Sequence, residues 1–283
     1  MTFGGISADV LVTVKAAPQP SLKYGDTSCV AGVRMDLERP ELIRLYPVDF
    51  RWLNSSQQFK KYDVLRLKVE KATNDSRAES FKPVRGEWSV LRSLPTEGNW
   101  RRRHEVIGQV EPSTTCELSA AARENHDAAS LGLVPVADIS DLRVESQPPW
   151  TEDQLSRLNA RRAQEANALI PFDGVVPREL VAPRFKATYR YRCTKRNCGG
   201  HRGQLLDWEL NGLQWAMKGS SDEELRAAIK ENFWRKMEPP ARWTAFYVGN
   251  MSDPRKRHSF SVLGVYWPPS DTVVHSHANP GLF

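Results

Sequence analysis

Between positions 64 and 71 the chain reads VLRLKVEK, with apolar and charged side chains in near alternation. A period of two puts successive side chains on opposite faces of a strand, so Val64, Leu65, Leu67 and Val69 are expected to be buried. Arg66, Lys68 and Glu70 should then face water. Residues 10–16, 27–35, 41–48 and 62–72 are all rich in Val, Ile, Leu and Tyr, and turn-forming PQP and KYGD interrupt them. Several short strands with few helices predict a small barrel.

Beyond residue 83 the pattern changes. GEWSVLRSL spaces Trp88, Leu91 and Leu94 at helical intervals, and helical character is expected over roughly residues 83–132. Within it, Thr114 has the chemistry of an N-cap, with Glu117 three residues on. LVPVADISDLRVE, residues 131–145, returns to strand chemistry and either completes the first domain or starts a second barrel. A polar helix capped by Thr151 follows and is read as an exposed connector, then a proline-punctuated loop. KATYRYRC is a strand with Tyr189 and Tyr191 on one face and Arg190 and Arg192 on the other. LLDWELNGLQWAMK is read as a helix with Leu206, Leu210, Leu213 and Met217 along one stripe, and Trp208 and Trp215 in the core. SSDEELRAAIKENFWRKM is the clearest helix, with Ser220 or Ser221 as its cap. Residues 244–250 and 259–267 form the closing strands.

These elements add up to an α+β protein: an OB-like β-barrel with a helical insertion over residues 1–145, a connector over 146–180, and a small antiparallel-sheet domain with helices over 181–283. No internal sequence repeat of fixed period is present.

KYGDTSCVAGV followed by LIRLYPVDFR resembles the dual-OB-fold type of domain found in bacterial genome-conflict and defence proteins. There a lysine, a CVAG-like strand and a WIRP-like strand follow one another. The resemblance covers roughly residues 10–72, and the chain departs from it by carrying Leu45 and Tyr46 between Arg44 and Pro47. It implies a partly open barrel that binds nucleic acid or nucleotides in a bacterial defence or mobile-element setting. Lys15, Lys23, Tyr24, Arg44 and Arg51 would then stand around a ligand groove, with bases on aromatics and phosphates on basic groups. The competing reading has Tyr24 and Tyr46 packing a core rim and Arg44 in a surface pair.

A chain of 283 residues with 40% hydrophobic and 26% charged residues has the balance of a folded globular protein. No apolar run approaches a membrane span and no signal-peptide pattern opens the chain, so a cytoplasmic protein with no membrane partner is expected. The formal charge of +6 favours polyanionic partners. Basic residues concentrate over 101–104, 184–196 and 253–258, although each run also fits a solvated face.

Cys193, Cys198 and His201 form a C-x4-C-x2-H spacing with Gly199 and Gly200 in the turn. Zinc takes four tetrahedral N or S ligands, so these three make a candidate zinc site with its fourth ligand elsewhere. Cys116, His258, His275, His277 and Asp207 are the candidates for it. The competing reading is a glycine turn between unrelated thiols, or a reversible disulfide. Cys116 is otherwise read as a small buried residue rather than a nucleophile.

Asp207 and Glu209 raise an enzymatic alternative, a nuclease holding Mg2+ or Mn2+ with His201 as base and Lys218 steadying phosphate. On a helix those two carboxylates would diverge. Phosphate-cradling, dinucleotide, nucleophile-elbow and H-E-x-x-H motifs are absent from the sequence. The sequence thus favours nucleic-acid binding, DNA or RNA, through Arg190, Arg192, Lys195, Arg196, Arg255, Lys256, Arg257 and His258. The metal-dependent nuclease and a module that docks onto a protein partner are the alternatives.

Overall fold

The alternation read at Val64 lies on one stave of a closed barrel. The computed structural model describes residues 5–18, 20, 27–73, 75–166 and 179–273. Strands β1 (Ile6–Lys15), β2 (Ser28–Arg34), β3 (Glu41–Val48), β4 (Asp63–Lys71) and β5 (Ser80–Ser93) pair in the order β1-β2-β3-β5-β4. The barrel closes where β1 pairs antiparallel with β4, from Ile6 opposite Val69 to Leu11 opposite Val64. The β3–β5 contact is parallel, Arg44 opposite Ser80 and Leu45 opposite Phe81. Inside, Val10, Val12, Val30, Ile43, Leu45, Leu65, Leu67 and Val69 are buried together, as the pattern predicted for β4. Burying each such side chain contributes about 1.5–3 kcal/mol before entropy is counted. Gly32 is required by backbone proximity, because a Cβ there would stand 2.4 Å from the Leu11 carbonyl oxygen.

The helix expected to begin near residue 83 is replaced by strand. β5 pairs with β4 from Asp63 opposite Ser93 to Lys71 opposite Phe81, so backbone hydrogen bonding overrides the i, i+3, i+6 spacing of Trp88, Leu91 and Leu94. Pro83, Gly86 and Val90 are themselves poor helix residues. Helix begins further on, with α1 (Arg101–Ile107) and α2 (Thr115–Glu124).

The second part of the chain contains β6 (Leu131–Ser146), α3 (Glu152–Ala166), β7 (Phe185–Cys193), β8 (His201–Gln204), α4 (Trp208–Ala216), α5 (Asp222–Phe233), β9 (Ala245–Asn250) and β10 (Phe260–Tyr266). Its five-stranded sheet runs β10-β9-β6-β7-β8, with antiparallel neighbours. β6, placed in the first domain by the sequence reading, pairs here with β7 and β9. A parallel bridge between Leu205 and Val262 then brings the end of β8 back to β10. Followed around, the strands read β6-β7-β8-β10-β9, which repeats the connectivity of the first barrel. The α+β architecture expected from the sequence is present, and its second sheet curls toward a second barrel.

Tyr189, Tyr191, Phe185, Phe246 and Val248 fill that second core, with the Tyr189 and Phe246 ring centroids 4.6 Å apart. α5 packs on it through Leu225, Ile229 and Phe233 and begins with a capping box of Ser221 and Glu224. α3 exposes most of its described surface, as its polarity predicted. Trp208 packs against Phe50 at 5.1 Å, whereas Trp215 is 65% exposed, contrary to its expected place in the core. The buried positions of α4 are Leu210 and Gln214. The expected loop over residues 170–185 lies mostly outside the described residues, as do Lys23, Tyr24, His275 and His277. Among the described residues no helix is long and apolar enough to cross a membrane.

An apolar cluster including Leu11, Tyr62, Ile107, Leu133, Tyr247 and Tyr266 joins the two halves, and two arginines cross the seam. Arg44 donates to the carbonyl and hydroxyl oxygens of Ser130, both at 3.0 Å, and Arg77 donates to the Asn250 carbonyl at 2.9 Å. Asp75 holds Arg77 through a bond of 2.7 Å to Nε. Burial pushes the Asp75 carboxyl up, but the Arg77 guanidinium outweighs it and holds the carboxyl down at about 2. A carboxyl depressed on folding contributes stability above its unfolded value near 4, lost as pH falls toward 2. Asp75→Asn is therefore expected to melt lower than wild type at pH 6 and to lose less stability between pH 4 and pH 2.5. Parallel melting curves for the two proteins would refute this.

Candidate metal centre

Strand alternation sends Tyr189, Tyr191 and Cys193 to the buried face of β7, so the strand delivers a thiol at its inner end. The following turn is tight: the Cys198 amide donates to the Lys195 carbonyl at 3.1 Å, and Asn197 and Gly200 adopt positive φ. His201 re-enters the sheet opposite Tyr191 as the first residue of β8. The fourth member comes from α2. Thr114 caps that helix by accepting from the Glu117 amide, placing Cys116 in the first turn. Thr115 and Tyr191 share a hydroxyl hydrogen bond of 2.9 Å, and Lys195 pairs with Glu117 at 2.5 Å, so the helix end is fixed against the turn.

Cys116, Cys193, Cys198 and His201 place their ligand atoms within 4.8 Å of one another. His201 Nε2 lies 3.3 Å from Cys116 Sγ, 3.4 Å from Cys193 Sγ and 3.2 Å from Cys198 Sγ. Cys193 Sγ is 3.7 Å from Cys116 Sγ and 3.6 Å from Cys198 Sγ. A tetrahedron with zinc–ligand bonds of normal length has S···S edges of about 3.8 Å and S···N edges of about 3.6 Å, close to these separations. All four thiols of the chain are free, and about 2.05 Å would be needed for a disulfide. The four side chains can therefore hold a metal ion such as zinc. Of the candidates for the fourth ligand, the fold selects Cys116. His258 sits in the β9–β10 loop, and Asp207 is engaged elsewhere.

The electrostatics point the same way. Burial, with the neighbouring Cys193, pushes the Cys116 thiol up to about 12. Burial also opposes ionisation of Cys193, but hydrogen bonds from the backbone of Cys116 and Lys195 hold it below its ordinary value. Burial lowers His201, favouring the neutral imidazole that a metal requires. Three thiolates this close need a cation between them, and binding one releases protons.

The enzymatic trio of the sequence reading is divided. His201 faces the thiols, whereas Asp207 caps α4 and accepts the Glu209 amide at 3.0 Å. Its other oxygen meets Lys61 Nζ at 2.9 Å, and Glu209 meets the same ammonium at 3.0 Å. Burial pushes Lys61 down, but the Asp207 and Glu209 carboxylates reverse this and hold it above its ordinary value. Burial likewise raises the Asp207 carboxyl, against the pull of Lys61. Lys218 instead lies 5.6 Å from the Trp215 ring.

Of the groove residues expected in the first barrel, Lys15, Arg44 and Arg51 are among those described. Arg44 is buried in the seam, where it hydrogen-bonds Ser130. Lys15 donates to the Phe59 carbonyl at 3.1 Å and stands 3.3 Å from the Phe50 ring centroid. Burial lowers it to about 8. Arg51 belongs to a short 3-10 helix, Phe50–Trp52.

The second sheet gathers more of the predicted residues. Arg190 and Arg192 lie on the exposed face of β7, and Arg190 is directly opposite Arg202 of β8. Arg192 faces Asp138 at 3.7 Å. Arg196 is exposed in the metal turn. In the β9–β10 loop, Arg255 pairs with Asp253 and Arg257 donates to the His126 carbonyl, while Lys256 and His258 are exposed. Sequence reasoning missed Arg202 because Gly203 and the short HRGQ run conceal β8. It missed Lys61 because nothing local marks a lysine whose partner lies 146 residues away.

No curated protein matches the chain. A family model described as Domain of unknown function (DUF8758) matches residues 6–109, which span the first barrel and α1. A second, described as Domain of unknown function (DUF8757), matches residues 111–281, so Cys116 falls in the same match as the other three candidate ligands. Because that second match covers more than half of the chain, the protein belongs to the DUF8757 family.

Proposed function

We propose that the protein binds single-stranded nucleic acid on its second barrel, with zinc at Cys116, Cys193, Cys198 and His201 fixing the edge of the binding face. One observation carries the reading. Arg190, Arg192 and Arg202 occupy the second and third strands of that sheet, and the basic residues 255–258 occupy the loop between its fourth and fifth. Those are the positions at which OB barrels hold oligonucleotides. Arg190 and Arg202 face each other across β7 and β8, and on its other side Arg190 is opposite Asp141 of β6. Like charges directly opposite on a sheet are destabilising, and a bound phosphate backbone relieves that repulsion. Zinc is the metal chosen by chemistry, because three thiolates and one imidazole in a tetrahedron suit it.

The test is fluorescence anisotropy of labelled single-stranded DNA and RNA over a salt series. Wild type should lose affinity steeply as salt rises. Replacing both Arg190 and Arg202 by alanine should shallow the log–log slope by about 1.4, from roughly 0.7 per phosphate contact on a single strand. Binding that ignores salt, or a double variant with an unchanged slope, would overturn the reading.

A further inference from the structure

A cleft of about 250 Å3 opens beside the seam, next to the ends of α4 and α5. Phe233, Met237, Val265 and Trp267 form apolar surface around it, and Asp207 and Glu209 supply carboxylates, of which Asp207 is fully buried and engaged by Lys61. The cleft lies just below the usual range for drug-sized ligands, a scale that suits a single base. Glu209 Oε2 is held by Lys61, and Oε1 has no hydrogen-bond partner among the described residues. Two cations border the cleft. Arg242 lies over the Trp267 ring, 5.0 Å from its centroid, Trp100 packs against the same ring at 5.4 Å, and Lys236 donates to Asn232, itself a lining residue, at 3.0 Å.

We infer that this cleft takes a guanine base, packed against the apolar wall beside Trp267 with its N–H edge on the Glu209 carboxylate, and with the attached phosphate toward Lys236 and Arg242. The choice of ligand class rests on the nucleic-acid reading above; the choice of base rests on the carboxylate. Guanine presents two adjacent N–H donors on its pairing edge, which a carboxylate accepts together. Adenine and cytosine set an acceptor beside their amino group, and uracil and thymine flank one N–H with carbonyls, so each brings a lone pair against the carboxylate. Apolar and aromatic walls with a few polar groups at one edge are how proteins read a base taken out of its stack. Lys61 holds Glu209 in place, so the carboxylate is set before the ligand arrives.

The test is calorimetric titration of the full chain with guanosine monophosphate, adenosine monophosphate and uridine monophosphate, repeated on Glu209→Gln. The guanine nucleotide should bind saturably and at least about tenfold tighter than the others. Glu209→Gln should weaken it by about tenfold or more, the range of a lost charge-assisted hydrogen bond. The base comparison on wild type needs no variant, so a folding defect in Glu209→Gln would leave it standing. Equal binding of the three nucleotides, no binding of any, or full guanine preference in a folded Glu209→Gln would overturn the inference.

Two oligonucleotides separate the sources of the base. If one dG in an oligo-dT strand tightens binding, the cleft reads a base within a strand; if only the mononucleotide shows the preference, the ligand is free nucleotide. Salt-sensitive strand binding without guanine preference would remove the cleft and keep the basic face. Guanine preference without strand binding would do the reverse.

Discussion

Zinc added to metal-free protein at roughly a thousandfold excess over its Kd is expected to stabilise the second, five-stranded sheet and its helices by about 4 kcal/mol. For a domain of this size that corresponds to a rise of about 10 °C in melting temperature. The gain arises because one ion joins α2 to the β7–β8 turn. Cys116 lies 77 residues from Cys193 in sequence and 3.7 Å from it in space. Without the ion, the thiols must share protons in a half-buried site, where Cys116 is held up at about 12. Metal affinity should therefore weaken as pH falls and the ligands take protons back. Cys198→Ser should remove most of the zinc-dependent rise. Scanning calorimetry with chelator and then with zinc restored checks this, and a melting temperature indifferent to both would show that the cluster does not bind metal under folding control.

The second large effect is expected at Lys61. Its side chain is 8% exposed and that of Asp207 is 1% exposed, so the pair is shielded from water on both sides. Lys61→Met leaves a buried carboxylate without its counter-ion, a loss of about 3–5 kcal/mol. Lys61→Met combined with Asp207→Ala should recover much of that, because a buried pair replaced by apolar groups is often close to neutral. The double-mutant cycle by urea denaturation isolates the coupling. Since Lys61 is held above its ordinary value, its share of this stabilisation is lost only as pH rises beyond about 10, whereas the raised Asp207 carboxyl makes the pair weaken at low pH as it takes up a proton. A single Lys61 variant within about 0.5 kcal/mol of wild type would mean that Asp207 takes up a proton instead.

How far the sequence could be read depended on whether the signal was local. β4 was legible because one face of a barrel strand is buried, so the period-two pattern survives in the residues themselves. β5 was not: Val90 and Leu91 are each 40% exposed, and the strand is held by pairing with β4, which leaves no trace in side-chain periodicity. The cap at Thr114 and the capping box at Ser221 were legible because both act over three residues.

The candidate metal centre was divided along the same line. Cys193, Cys198 and His201 are neighbours in sequence and could be grouped by spacing, whereas Cys116 stood equal with four other candidates until α2 was docked on the sheet. The repeated strand order left no repeated sequence to find, since connectivity is preserved by which backbones pair. Trp215 was assigned to the core because large aromatics on a helix usually face inward, and its exposure exceeds what that rule allows for.

Photocrosslinking of a single-stranded oligonucleotide, followed by mass mapping of the adducts, tests the proposed binding face most directly. A ligand on the second barrel predicts adducts in peptides spanning residues 190–202 and 251–259, reduced when Arg190 and Arg202 are both alanine. Adducts confined to the first barrel, or none at a salt concentration where binding is measured, would contradict it.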